Sequence, residues 1–212
     1  MNTSIVLKTL LGAGALTLPL LAFAESNVQT GAATASPGAT AHLDFSIVIP
    51  KVLYLRVGTG SSYTTGALTS VNTTDLITFS PAAGTVGNGT AVAGTGGDLT
   101  GGVETAAIVS NSGNVTLNAT ASGALGNGSG DTIPFTQITT VASPLTSGTQ
   151  LPAPVLTNGT SSNVLLTAPA TKLIVQDAKW TYSYANAANV PAGTYGGVNV
   201  NNGRVVYTAT MP

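Results

Sequence analysis

Lys179-Trp180-Thr181-Tyr182-Ser183-Tyr184 alternates aromatic and polar side chains over one short run. It is followed by a Pro191-Ala192-Gly193 bend, a run from Thr194 to Val200, the turn residues Asn201-Asn202-Gly203, and a closing run from Arg204 to Met211. Period-two alternation is the pattern of a strand with one face buried. Asn-Gly between two such runs predicts a hairpin, because the turn needs positive φ and these residues supply it. The stretch from Lys172 to Met211 therefore reads as a β unit onto which the upstream strands pack.

Composition supports the same class. Only 6% of residues are charged, against roughly a quarter in an average soluble protein. Thr, Ser, Asn and Gly supply the polarity, and they favour strands and turns over helices. Turn signals recur about every ten residues, the spacing of a sandwich or barrel. The predicted fold is all-β, an antiparallel immunoglobulin-like β-sandwich. With a formal charge of −1 there is no basic field for phosphates, so nucleic acid is not an expected partner. The chain has no Cys, so an exported form has to be held by packing alone.

Residues 1–24 read as a cleavable signal peptide. Lys8 precedes the apolar run Leu10–Leu21, and Ala22-Phe23-Ala24 offers the small-x-small cleavage site. The run is shorter than the ~20 residues of a spanning helix, so the mature chain is expected to have no membrane span. Export leads to the periplasm, the outer surface or the medium. Residues 25–41 read as a flexible leader. A donor strand there is disfavoured, because Val28 is its one large apolar residue. Residues 42–212 are then a single sandwich domain.

Within that domain, His42 to Val57 is the first strand region, with Leu43, Phe45, Ile47 and Ile49 on one face and Pro50 interrupting. Asp75 to Ser80 is a short strand. Pro81 to Gly102 is a Gly-rich surface loop with a short strand near Ala91 to Ala93. Val103–Ser110 and Asn114–Ala121 read as a hairpin turning at Asn111-Ser112-Gly113. Ile133–Val141, Val155-Leu156 and Val164–Thr167 are further strand candidates.

Chemistry is sparsely signalled. His42 is the sole histidine, no Gly-x-Ser-x-Gly sequence occurs, and neither a phosphate-binding loop nor a dinucleotide fingerprint is present. No metal or other cofactor is expected. Asp98, Glu104 and Asp131 are the candidate acid and base of a hydrolase, a reading that needs two of them in one cleft. Trp180, Tyr182 and Tyr184 point the same way on a strand. Exposed, they would form a sugar-stacking face; buried, they would be core, and burial is the expectation.

The ending Pro191-Ala192-Gly193-Thr194-Tyr195-Gly196-Gly197-Val198 with Val205-Val206-Tyr207-Thr208-Ala209, and the leading Leu43-Asp44-Phe45-Ser46-Ile47-Val48-Ile49-Pro50, resemble strands of secreted bacterial immunoglobulin-like surface domains of the pilus-subunit-like and WxL-type kinds. The resemblance implies an exported, non-enzymatic structural or adhesive protein, with itself or other envelope proteins as partners. The expected assembly edge is the last strand, with Arg204, Val206, Thr208 and Thr210 on its outward face, because few charges protect it. The alternative is a carbohydrate-binding module that takes glycans on Trp180, Tyr182 and Tyr184.

Overall fold

The computed structural model describes residues 26–33, 38–58, 68–146 and 148–212. The signal peptide expected at 1–24 lies outside them. The chain divides into two units, Met1–Ile49 and Pro50–Pro212.

The described part of the first unit carries no strand or helix and is exposed. Residues 38–49 pair with no described strand. This corrects the expectation of one strand region from His42 to Val57, of which only Leu53–Val57 is a strand. Pro50 marks the break. It has no N–H to give to a ladder, and it holds the residue before it extended.

The second unit carries β1 (Leu53–Val57), β2 (Ile77–Thr78), β3 (Val92–Ala93), β4 (Thr95–Gly96), β5 (Val103–Ser110), β6 (Val115–Ala121), β7 (Leu125–Gly126), β8 (Thr132–Ile133), β9 (Ile138–Ser143), β10 (Thr149–Gln150), β11 (Val164–Leu166), β12 (Ile174–Tyr184) and β13 (Val205–Thr210). Two short 3-10 turns, Ala83–Thr85 and Phe135–Gln137, are the helical segments among the described residues. None is long and apolar enough to cross a membrane.

The eleven-residue strand β12 is the spine of the larger sheet. Its residues 174–181 pair antiparallel with β5, and β3 continues that side at 183–184. On the other side lie β9, antiparallel, and β10, parallel. β5 pairs outward with β1, which ends the sheet. The smaller sheet has the order β11-β6-β13, all antiparallel. β2–β4 and β7–β8 are minor ribbons.

Ala106 and Ile108 of β5 and Ala178, Trp180 and Tyr182 of β12 share one buried cluster with Val115, Leu117, Ala119 and Ala121 of β6. Two sheets contributing alternate residues to a common core is the arrangement of a β-sandwich. The alternation readable in Val115–Ala121 is seen directly as buried and half-buried positions in turn.

Two expected hairpins are not there. β5 and β6 are consecutive, yet they belong to different sheets. β5 is already flanked by β1 and β12, so it has no free side for β6. The intervening Asn111-Ser112-Gly113 is a corner between sheets. There the Asn111 side chain accepts from Val52 N–H (2.8 Å) and donates to the Pro50 carbonyl (2.8 Å).

The second missing hairpin is the Asn-Gly one. Asn201 and Asn202 do take positive φ, 49° and 58°. The run Thr194–Val200, however, is not a strand, because Gly196, Gly197 and Asn199 also take positive φ and break the extension. β13 pairs with β6 instead. Gly203 packs directly on Gly197, where a Cβ would fall 2.3 Å from backbone atoms, so that the loop folds flat on itself. The Gly-rich stretch from Pro81 to Gly102 is similarly doubled back: a Cβ on Gly102 would fall 2.6 Å from the Gly94 Cα.

Candidate functional site: an open strand edge and its cleft

The aromatic row is core. Trp180 is 0% exposed, Tyr182 6% and Tyr184 7%. The indole N–H of Trp180 donates to the Leu151 carbonyl (2.9 Å), and its ring lies 5.4 Å from that of Tyr207 on the opposite sheet. Rings buried in this way present no stacking platform to a sugar. Tyr182 and Tyr207 share a hydroxyl–hydroxyl hydrogen bond of 2.9 Å. Burial pushes Tyr207 up to about 12 and holds Tyr182 well above the usual phenol range, so both stay neutral.

Of the three acids named from the sequence, two come together. Asp98 N–H donates to Glu104 Oε2 (3.3 Å), while the Asp98 carboxylate accepts from Thr105 N–H (2.8 Å) and from the Thr105 hydroxyl. Arg56 Nη2 in turn donates to Thr105 Oγ1 (3.0 Å). Asp131 belongs to a separate turn, where the Asn127 amide donates to it (2.8 Å). The residue that sequence reading misses is Asp75, whose side chain hydrogen-bonds Glu104. No local pattern links the two, because they lie 29 positions apart and meet only in the folded chain. Asp98 thus works as a structural cap on β5. His42 is exposed, and no three His, Asp or Glu side chains form a metal-binding group among the described residues.

Glu104 is 5% exposed. Burial first, and then the nearby Asp75 and Asp98 charges, push its carboxyl up from 4.5 to about 8; the Asp98 N–H opposes this. At neutral pH Glu104 therefore keeps its proton. Because the folded pKa is the higher one, the folded state binds the proton more tightly than the unfolded chain. That contribution is full below about pH 4.5 and is lost as pH rises through 8. Glu104→Gln keeps the shape and removes the titration. It is expected to flatten the stability profile between pH 5 and 9, and to exceed the parent at pH 9 by on the order of 1–3 kcal/mol, with allowance for solvent screening. Urea denaturation across that range measures it, and an unchanged slope would refute the assignment.

The remaining feature is geometric. β13 ends the smaller sheet and β1 ends the larger one. The residues after β13 are tied to the larger sheet, where Lys51 Nζ, just before β1, donates to the Pro212 carbonyl (2.8 Å) and the Ser110 hydroxyl of β5 donates to Met211 Sδ (3.6 Å). Away from that clasp a cleft of about 1110 Å³ opens. Leu53, Leu55 and Val57 of β1 line one wall, and Val205 and Tyr207 of β13 another. Ile77, Phe79, Tyr182 and Tyr184 also line it. Apolar side chains of β1 and β13 are thus only half buried, and β13 has no neighbour on its outer side among the described residues. The outward face of β13 carries Arg204, Val206, Thr208 and Thr210, all exposed.

Compared with family models, with curated proteins and with solved structures, the chain matches none.

Proposed function

We propose that the protein is an exported, non-enzymatic structural or adhesive subunit of a bacterial envelope, an immunoglobulin-like sandwich that joins its neighbours through a strand edge. The observation that carries this reading is β13, an outer strand whose exposed side chains Val206, Thr208 and Thr210 bear no charge. A bare edge offers a row of backbone donors and acceptors to another strand, and proteins that stay monomeric usually protect such edges with charge, Pro or a bulge. A surface rich in Thr, Ser, Asn and Gly is neutral and hydrated, and suits close packing between copies.

The test is light scattering with electron microscopy on residues 25–212. Oligomers or filaments are expected. Placing charge on the edge, as Val206→Lys with Thr208→Lys, should reduce assembled mass about tenfold, while stability stays within about 0.5 kcal/mol of the parent, because both side chains are exposed. A monomer at every concentration would remove the reading.

A further inference from the structure

Glu104 sits where the two arms of the β2–β4 ribbon meet β5. In that ribbon Ile77 pairs with Gly96 and Thr78 with Thr95. Counted on in that register, the next same-face pair is Asp75 with Asp98. Both reach the Glu104 carboxyl. The Asp98 N–H donates to Oε2 (3.3 Å), and the Asp75 side chain hydrogen-bonds it. Gly58, just past β1, closes over them at φ 79°: a Cβ there would lie 2.7 Å from Glu104 Oε2 and would collide with Asp75 Oδ2. One buried side chain thus holds both arms of the ribbon.

The two holds respond oppositely to charge on Glu104. Two carboxyl groups bond each other only while one of them carries a proton, since an ionised carboxylate only accepts. A backbone N–H bonds the anion more strongly than the acid. Ionisation therefore breaks the Asp75 hold and tightens the Asp98 hold. It also adds a third charge beside Asp75 and Asp98. Of the other titratable groups around it, Tyr182 of β12 and Tyr207 of β13 stay neutral. Arg56 of β1 donates to the Thr105 hydroxyl, and Thr105 leaves β5 on the face opposite to Glu104. The arms differ in their other anchors. The Asp98 carboxylate is held by Thr105 as well. On the β2 side, residues 69–76 are exposed, and among the described residues 68–74 make no backbone hydrogen bond. Ile77 and Phe79 follow directly, and both line the cleft.

We infer that Glu104 is a proton-operated latch: protonated, it holds the β2 arm, residues 68–79, down as a wall of the cleft; ionised, it lets that arm go while the β4 arm stays fixed. The latch is shut in acid and at neutral pH, and the proton leaves as pH rises through about 8. Release lifts Ile77 and Phe79 from the cleft and parts the Phe79 ring from that of Tyr184, 6.3 Å away. The two sheets do not depend on this arm, because β2 pairs only with β4. The opening is therefore local, drawn from the least anchored part of the unit. It goes beyond the edge-assembly reading and does not rest on it.

The test uses the full mature chain. It has no Cys and one Trp, so Asn72→Cys, at an exposed position on the arm, takes a single thiol dye as energy acceptor for Trp180. Transfer should fall with a midpoint near pH 8 and recover when the pH is brought back. Far-ultraviolet circular dichroism and scattered mass should stay constant over the same range. Glu104→Gln copies the protonated form: its amide donates to Asp75 and its carbonyl accepts from the Asp98 N–H. Its transfer should stay high at every pH. Asp75→Asn should behave alike, because its amide donates to the ionised Glu104. Asp75→Ala offers no bond and should give the low value throughout. Transfer that does not change with pH in the parent overturns the latch, as does an equal fall in the parent and in Glu104→Gln. A fall that coincides with loss of the circular dichroism signal is global unfolding and overturns it as well.

Discussion

Trp180→Ala is expected to cost about 4 kcal/mol, a large share of the 5–15 kcal/mol typical of a domain. The side chain is fully buried, so its removal forfeits the transfer free energy of the indole and leaves a void in close-packed surroundings. Two specific losses add to this. The Leu151 carbonyl loses its donor at 2.9 Å, and Tyr207 loses the ring 5.4 Å away that ties β13 to the larger sheet. Trp180→Phe separates the contributions. It keeps most of the volume and leaves the Leu151 carbonyl bare, so about 1–2 kcal/mol is expected. Urea denaturation followed by far-ultraviolet circular dichroism is the suitable measurement, since Trp180 is the one tryptophan and its fluorescence disappears with it. A loss under about 1 kcal/mol for the alanine variant would contradict a core role.

Asn186→Ala is expected to cost about 3 kcal/mol, through backbone and side chain together. Asn186 is buried and sits at φ 51°, a region that Asn tolerates better than Ala. Its side-chain Oδ1 accepts from Gly87 N–H (2.8 Å), and its side-chain amide Nδ2 donates to the Thr85 carbonyl (2.7 Å). Those bonds hold the turn after Ala83–Thr85 against the end of β12. Alanine leaves the part-buried Gly87 N–H and Thr85 carbonyl without these partners, which adds to the loss of the bonds themselves. Asn186→Gly relieves the backbone strain and loses the same bonds, so it should recover about 1 kcal/mol relative to Ala. Both variants should also speed proteolysis around Thr85 to Thr90. Equal stability of Ala and Gly would show that the positive φ carries no cost here.

These two residues mark how far the sequence can be read. Trp180 is readable as core, because alternation over Lys179–Tyr184 and a scarcity of large residues leave few other places for it. The strand at Val115–Ala121 is readable for the same reason, since period two is a local property of the chain, whereas Val103–Ser110 is buried on both faces and shows no such alternation. Strand partners are not local. Asn111-Ser112-Gly113 and Asn201-Asn202-Gly203 have hairpin chemistry, yet one turns a corner between sheets and the other lies inside a long loop. What decides between these outcomes is which strands already flank β5 and β6, and no turn motif encodes that. Asn186 is opaque for a similar reason, since its bonding partners lie almost a hundred positions upstream. Glu104 and Asp75 likewise meet only in the folded chain. The alternation of Leu43, Phe45, Ile47 and Ile49 is plain in the sequence. That these residues form no strand of their own, and that the strand begins only at Leu53, is visible only from the break at Pro50.

The order of strands in the smaller sheet also sets a clock. β6 lies between β11 and β13, both of which come later in the chain. Its second flank cannot form until residues 205–210 exist and have travelled back to it. During synthesis, the apolar face of Val115–Ala121 therefore has to wait for the closing strand. Such distant pairing is slow, with folding expected on the order of milliseconds to seconds after the last strand emerges.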